Sequence, residues 1–233
     1  MRWFIPPFAG PDAFSPDDFP HLDCILITHD HWDHLDYFTI NMLKDKTDKF
    51  ICPLGVGEHL EYWGVPNYNI YELDWEDTHS LNEQVQLICL PSQHFSGRFI
   101  KRNPSLWCSY FLNGPVRIFV SGDGGYGSHF ADIGNRFPEI DLAVLENGQY
   151  NLRWPFIHLT PDKLVDAVTD LHPKRLLTYH NSKFVLSSHS WDVPLELAYR
   201  HAREHNWNLQ TPKIGEALHL DNPDEHFDVW WKG

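Results

Sequence analysis

Short apolar runs, each bounded by glycine, proline or acidic residues, recur along the chain. Such runs are typical of buried β-strands. The first of them is Leu22-Asp-Cys-Ile-Leu-Ile-Thr28. Strands dominate the first half of the chain and alternate with helical patterns in the second half, which favours an α/β fold. We predict strands over residues 22–28, 50–52, 85–90, 106–112, 116–120, 142–145 and 175–179.

Helical patterns and their end signals predict five helices. Thr160 before Pro161 is typical of a helix start, because threonine caps free amides and proline fits the first turn. Asn113-Gly114 lies between two predicted strands and indicates a hairpin. No repeat, linker or low-complexity segment divides residues 1–233, so we expect one domain. The predicted helices cover residues 36–44, 57–63, 128–137, 160–171 and 191–204.

The charge balance argues against a nucleic-acid partner. The 233 residues include 18 Lys and Arg against 32 Asp and Glu, which gives a net charge of −14. A phosphate backbone would be repelled by this chain unless a local basic groove existed. The hydrophobic content of 42% is enough for a buried core.

The cysteines and the N-terminal sequence indicate where in the cell the protein is expected. The four cysteines have no CxxC spacing and fall mostly in apolar runs, so we expect reduced core residues. The N-terminus is broken by two prolines and lacks a cationic start followed by an apolar region, so we expect no standard secretion signal, and no window approaches eighteen apolar residues. We therefore predict a cytoplasmic protein without a transmembrane segment, with peripheral membrane contact left open.

Candidate chemistry concentrates in one loop. Of the sixteen histidines, three lie in Thr28-His29-Asp30-His31-Trp32-Asp33-His34, directly after a predicted buried strand. A tight loop after a strand brings alternate side chains to one side. Imidazole and carboxylate together suit a divalent metal such as zinc, whereas a merely solvated cluster is the alternative.

Three further candidates follow other predicted strands. His94, Asp123 and His180 each lie just beyond the end of an apolar run. The carboxyl ends of strands at one sheet edge are where sites gather in layered α/β folds. Each residue alone would more often be a surface or cap residue, but together they predict one metal centre.

His29, His31, Asp33 and His34 match the His-x-His-x-Asp-His signature, and on it the chain resembles the metallo-β-lactamase superfamily. The similarity runs from about residue 19 to 218. It is strongest to the branch that includes the phospholipase D acting on N-acyl phosphatidylethanolamine, in Pro91-Ser-Gln-His94, Ser121-Gly-Asp-Gly-Gly-Tyr126 and His158-Leu-Thr-Pro-Asp-Lys-Leu-Val. The resemblance implies an αββα sandwich, with two facing mixed sheets flanked by helices.

The resemblance also implies a ligand set and a reaction. His29, His31 and His94 would hold one metal ion, Asp33, His34 and His180 a second, and Asp123 would bridge them. Zinc is expected first, with Mn²⁺ or Fe²⁺ as alternatives. The implied nucleophile is a metal-bound hydroxide that attacks a phosphodiester or another ester, including an N-acyl phospholipid. Asp33 would orient or deprotonate the water, or act as a ligand only.

A second group of residues is predicted on the substrate side. His158 precedes a helix N-cap, matches a substrate-contacting histidine of the branch, and is expected to contact a phosphate or carbonyl oxygen. A structural histidine bonded to a backbone carbonyl is the alternative. Tyr150, Arg153 and Trp154 lie on the preceding loop and are predicted to line the pocket, although a loop arginine is often only solvated.

The chain departs from its branch at the N-terminus. Only 28 residues precede His29, whereas members of the branch form several strands before this motif. We therefore expect the N-terminal strands to be missing and the first sheet to expose an edge. Self-association through that edge or residues 1–14 follows, so a homo-oligomer is predicted.

Two other functions stay open at this point. A sugar-phosphate lactonase of the same superfamily would use the same ligands on a small-molecule substrate. A metal-binding or interaction protein with poor catalysis would result if part of the pocket were lost.

Overall fold

The computed structural model describes residues 7–8, 15–98 and 102–233. Five α-helices lie in these ranges: α1 Tyr37–Leu43, α2 Gly57–Tyr62, α3 His129–Arg136, α4 Pro161–Leu171 and α5 Val193–His205. The strands of these ranges are β1 Leu22–Leu26, β2 Thr47–Pro53, β3 Ile70–Leu73, β4 Thr78–Ser80, β5 Gln86–Leu90, β6 Ser109–Asn113, β7 Ile118–Val120, β8 Leu142–Glu146, β9 Arg175–Tyr179 and β10 Leu209–Gln210.

The strands form two sheets. The smaller has the order β1-β2-β3 and is parallel throughout. The larger has the order β10-β9-β8-β7-β6-β5-β4 and is mixed: β4 to β7 are antiparallel, and β7 to β10 are parallel. The parallel half matters for the site because its strands all end at the same edge.

Side-chain alternation along β2 shows how the smaller sheet is layered. Phe50 and Cys52 pack with Ile40 of α1 and Leu60 of α2 on the outer face. Ile51, which lies between them, points to the other face and packs against the larger sheet. Because neighbouring strand residues face opposite sides, one apolar run supplies both layers.

The larger sheet repeats this arrangement. Leu87 and Cys89 of β5 and Tyr110 of β6 pack between the two sheets. Phe111 of β6 packs on the outer face against α3 and α4, with Ile88 of β5 in the same cluster. Helices therefore cover both outer faces, and the predicted αββα sandwich is confirmed.

Two hydrogen bonds join the sheets where the histidine loop begins. The Tyr110 hydroxyl donates to the Ile27 carbonyl at 2.8 Å, and the Cys108 amide donates to the Thr28 carbonyl at 2.9 Å. The amides of residues 106 and 108 hydrogen-bond to the segments that follow strands of the smaller sheet, and not to β5. This explains why β6 starts at Ser109 and not at residue 106 as predicted. All four cysteines are free, as expected.

Three strands, β3, β4 and β10, were not predicted from the sequence. β4 and β10 are only three and two residues long, and β3 is partly exposed, so none forms a continuous apolar run. The predicted hairpin is present, since Leu112 pairs with Ile118, but its turn is longer than Asn113-Gly114 alone.

Residues 1–6 and 9–14, which belong to the segment predicted to contribute to self-association, lie outside the described residues. Of residues 1–14, the structure describes Pro7 and Phe8, which lie against Phe184 and Lys183. Among the described strands, β1 pairs with β2 alone and so forms an edge. Self-association through this edge stays a prediction. Within residues 7–8, 15–98 and 102–233, no helix has the length and apolar composition that a membrane span requires.

Core packing on the outer face of the larger sheet should contribute strongly to stability. Phe111 is fully buried and stacks on Phe137 with ring centroids 4.2 Å apart. Phe111→Ala is expected to lower the free energy of unfolding by about 3–5 kcal/mol in urea titrations. Phe38→Ala is the matched control, because Phe38 is 72% exposed and its loss should change that free energy by less than about 0.5 kcal/mol. Equal losses in both variants would contradict this packing.

Candidate metal centre

All seven predicted ligands lie at one edge of the sandwich. The loop between β1 and α1 contributes four of them, and it ends where the Asp36 side chain caps α1. Two others follow β5 and β7, and the last follows β9. The structure thus brings together His29, His31, Asp33, His34, His94, Asp123 and His180, in groups whose ligand atoms lie within 4.8 Å of one another.

Three histidines form the first group. His29 Nε2 lies 3.0 Å from His31 Nδ1, and His94 Nε2 lies 3.2 Å from the same His31 atom. Nitrogens that bind zinc tetrahedrally at 2.0–2.1 Å are about 3.3 Å apart, so this spacing fits one ion.

The protonation of this group suits metal binding. Burial holds the pKa of His29 well below its usual range and lowers the pKa of His94 to about 3. Both rings are therefore neutral at pH 7, so binding a cation displaces no proton from them. The Ile157 carbonyl accepts a 3.1 Å hydrogen bond from His94 Nδ1, which leaves Nε2 as the free ligand atom.

Asp33, His34 and His180 form the second group. Their ligand atoms are spaced by 3.3 Å between the two Nε2 atoms, 3.4 Å from His180 Nε2 to Asp33 Oδ2, and 3.6 Å from His34 Nε2 to the same oxygen. Burial opposes ionisation of Asp33, but the hydrogen bond from His180 and the charge of His34 prevail and lower its pKa to about 2. This carboxylate is therefore ionised at neutral pH.

Asp123 lies between the two groups. Its Oδ2 is 3.0 Å from His34 Nε2 and 3.1 Å from His180 Nε2, and its ligand atom also groups with His29. Its Oδ1 is buried and has no hydrogen-bond partner among the described residues. An unpartnered buried carboxylate oxygen costs free energy unless a cation neutralises it. The residues present therefore fit divalent metal ions.

Local backbone geometry places two of these ligands. His180 adopts φ 65°, a left-handed conformation that is uncommon for residues other than glycine. A Cβ on Gly148 would overlap the carbonyl oxygen of His180, so only glycine allows the two segments to approach. Gly122, at φ 61°, makes the corresponding turn before Asp123. Strained backbone of this kind concentrates at functional sites.

Glu146 is a buried acid that the sequence analysis missed. It is fully buried at the end of β8 and accepts a 2.8 Å hydrogen bond from the Leu159 amide. His158 Nδ1 lies 3.3 Å from both of its oxygens, and His180 Nδ1 lies 3.6 Å from Oε2. The signal was present, since Glu146 follows the apolar run of residues 142–145 just as Asp123 and His180 follow theirs.

His158 lies beside the candidate ligands. It is 5% exposed, and its ring stacks on His180 at a centroid distance of 5.2 Å. Burial opposes its protonation, but the adjacent Glu146 carboxylate prevails and raises the pKa of His158 above its usual value. Because Nδ1 faces Glu146, Nε2 is the nitrogen left for a substrate.

Two clefts open onto the ligands. One, of about 340 Å³, is lined by Trp32, Phe95, Trp154 and His158. The other, of about 390 Å³, is lined by His34, His180, Lys183 and Phe184 among others. Leu186 and Asp33 line both clefts, so the two clefts adjoin at these residues.

The other two predicted pocket residues lie elsewhere. Tyr150 and Arg153 line a separate cavity of about 620 Å³ and neither cleft on the ligands. The turn after Tyr150 explains the difference: the Tyr150 ring stacks on His189, whereas Trp154 turns back to donate to the Gln149 carbonyl at 2.9 Å. Of the predicted loop residues, only Trp154 therefore lies on the metal side.

A family model described as a β-lactamase superfamily domain matches residues 4–181. The chain belongs to the metallo-β-lactamase superfamily. The resemblance predicted from its motifs is thus confirmed, including its placement near the phospholipase D branch.

Individual relatives agree with this assignment. The chain is 38% identical over 234 residues to an uncharacterized protein of Mycobacterium tuberculosis, covering 96% of this chain and 62% of that protein. It is 33% identical over 190 residues to the mitochondrial N-acyl-phosphatidylethanolamine-hydrolyzing phospholipase D of Saccharomyces cerevisiae, covering 77% and 40%. The chain therefore spans less than two thirds of either relative.

A solved structure confirms the fold. The isothiocyanate hydrolase from Delia radicum gut bacteria matches with a TM-score of 0.71 at 17% identity, covering 89% of this chain and 80% of that one. At this identity the likeness establishes the shared architecture alone.

Metal analysis tests the two ligand groups and their bridge. After loading with zinc, manganese or iron, we expect close to two ions per chain by elemental analysis. Asp123→Ala should remove more metal than His94→Ala, because a bridging carboxylate serves both ions. His205→Ala controls for an ion held by His201, Glu204 and His205 of α5, a separate group of ligand atoms. Equal losses in the Asp123 and His94 variants would contradict the bridging position.

Proposed function

We propose that the chain is a dinuclear metal-dependent hydrolase that acts on phosphodiesters or other esters, with N-acyl phospholipids among the candidate substrates. The observation that supports this most is the position of Asp123, whose buried carboxylate lies between two complete groups of ligand atoms. Zinc is the ion that the imidazole-rich set favours, with Mn²⁺ and Fe²⁺ as alternatives. When bound, two such ions lower the pKa of water and neutralise negative charge on the ester oxygens.

Asp33 serves in this scheme as a ligand and not as the general base. Its carboxylate is held within 3.6 Å of His34 and His180 and has a pKa of about 2. A base with so low a pKa accepts a proton poorly at neutral pH. The ligand-only role that the sequence analysis left open is therefore the one we propose.

His158 is proposed to contact the substrate. Glu146 accepts the proton of Nδ1 and is itself fixed by the Leu159 amide, so the imidazole cannot turn away. The Glu146 carboxylate also raises the pKa of His158 and so favours the imidazolium form, in which Nε2 carries a proton as well and can donate a hydrogen bond to an ester oxygen in the cleft. Charge that develops on that oxygen during hydrolysis would strengthen the bond.

The cleft beside His158 suits a substrate with an apolar group. Trp32, Phe95, Trp154 and Ile157 contribute aromatic and aliphatic surface next to the ligands. An ester that joins a charged phosphate to an apolar chain or ring would place its phosphate at the ligands and its apolar part against these side chains. The name of the yeast relative, a phospholipase D, supports this choice of substrate class.

A substrate panel separates this function from its alternatives. Zinc-loaded protein would be assayed on chromogenic phosphodiesters, N-acyl phospholipids and sugar-phosphate lactones. We expect turnover of the phosphodiesters or phospholipids. Lactone turnover alone would favour the lactonase, and bound metal without turnover of any of these would favour a binding protein. Cytoplasmic location and self-association remain parts of the proposal.

His158→Ala should keep the metal ions and lose turnover. Removing one hydrogen-bond donor to an oxygen that gains charge in the transition state costs about 10²–10³ in kcat, so kcat on the best substrate of the panel should fall by at least about 10². His21→Ala is the matched control, because the His21 side chain is largely exposed and contacts Asp48 instead. Loss of metal from the His158 variant would make it a ligand, and full activity would make it purely structural.

A further inference from the structure

The segment after His94 is tied to the histidine loop by hydrogen bonds. The Gly97 amide donates to Asp30 Oδ1 at 2.6 Å, and the Trp32 indole donates to the Arg98 carbonyl at 2.9 Å. Asp30 is fully buried, so its carboxylate has little access to water. Two loops that supply ligands to the first metal group are thus joined directly.

The buried side chain of Arg98 also joins the two loops. Its Nη1 donates to the Asp30 carbonyl at 2.8 Å and to the Leu35 carbonyl at 2.7 Å. The side chain is buried, with its guanidinium centred 3.9 Å from the Trp32 ring. The Arg98 guanidinium therefore contacts the histidine loop at three places. It bonds to the Asp30 carbonyl between the first two histidines and to the Leu35 carbonyl after the last one, and it stacks on the Trp32 indole.

We propose that Arg98 is a positioning residue for the three-histidine metal group. The carbonyls that it holds flank the loop's ligands, and Arg98 itself follows His94 by only four residues. It therefore sets the position of the histidine loop relative to His94, and the 3.2 Å distance between His94 Nε2 and His31 Nδ1 depends on that position. This inference rests on the metal assignment of the proposed function.

The chemistry of the contact favours arginine over other residues. Buried backbone carbonyls need a donor, and leaving two of them without one costs free energy. A planar guanidinium can serve both carbonyls and stack on the indole at the same time, whereas a lysine ammonium is a point charge without a flat face. Arg98→Lys should therefore keep the charge and disturb the loop.

Cobalt binding measures the effect without recourse to catalysis. In a His180→Ala background, which weakens the second group, Co²⁺ reports on the three-histidine group through its affinity and its visible absorption spectrum. We expect Arg98→Lys and Arg98→Ala to weaken Co²⁺ binding by about 10–100-fold, the range typical of residues that orient ligands, and to alter the spectrum. Arg102→Ala is the matched control, because Arg102 is exposed and its guanidinium lies over the Phe95 ring.

Urea unfolding of the metal-free chains separates positioning from a merely structural role. Lower stability with unchanged Co²⁺ affinity and spectrum in Arg98→Lys would overturn the proposal. Should Arg98→Ala fail to fold, Arg98→Lys alone decides. If the unsubstituted chain did not bind Co²⁺, the metal assignment and this inference would both be overturned. If the His180→Ala chain bound Co²⁺ and adding Arg98→Lys left that binding intact, this inference alone would be overturned.

Discussion

The carboxylate of Asp123 is buried where the two ligand groups meet, and one of its oxygens contacts both His34 and His180. A buried carboxylate in a sandwich of apolar layers is unfavourable unless positive charge surrounds it. Burial favours its neutral form, but the two histidines prevail and hold the pKa of Asp123 well below its usual range. The neighbouring ligands are therefore arranged around a fixed negative charge, which divalent ions would satisfy further.

The fold positions this charge through the ends of its strands. β7, β8 and β9 are parallel neighbours in the larger sheet, and Asp123, Glu146 and His180 lie at their carboxyl ends. The histidine loop arrives from the smaller sheet, bonded across through Tyr110 and Cys108. The site thus requires both sheets to face each other correctly. Two buried residues outside the ligand set complete the arrangement. Glu146 holds the ring of His158, and Arg98 holds the histidine loop.

The sequence predicted those parts of the molecule whose signal is local. The strand before His29, the helix capped by Asp36 and the helix that begins at Pro161 are present because apolar runs and helix-end signals act over a few residues. Thr160 precedes that last helix without a side-chain cap hydrogen bond, so the proline and the apolar pattern are the signals that apply there. The seven ligand positions could be grouped because strand ends gather at one edge, although their role as ligands remains a prediction. Short polar strands such as β4 were missed because pairing, and not composition, makes them strands.

Other features depend on tertiary contact and could not be predicted locally. The turn that directs Trp154 toward the ligands and leaves Arg153 on a separate cavity depends on contacts with Gln149 and on the stacking of Tyr150 on His189. The burial of Arg98 depends on contacts with a loop 63 to 68 residues earlier in the chain. An arginine in a polar segment gives no local sign that its donors face two buried carbonyls.

The two proposed metal positions can be located in a crystal structure of the zinc-loaded chain, with anomalous scattering measured on both sides of the zinc absorption edge. We expect two zinc peaks, one among His29, His31 and His94, the other among Asp33, His34 and His180, with Asp123 in contact with both. A single peak at this edge of the sandwich, or two peaks of which only one contacts Asp123, would contradict the dinuclear assignment.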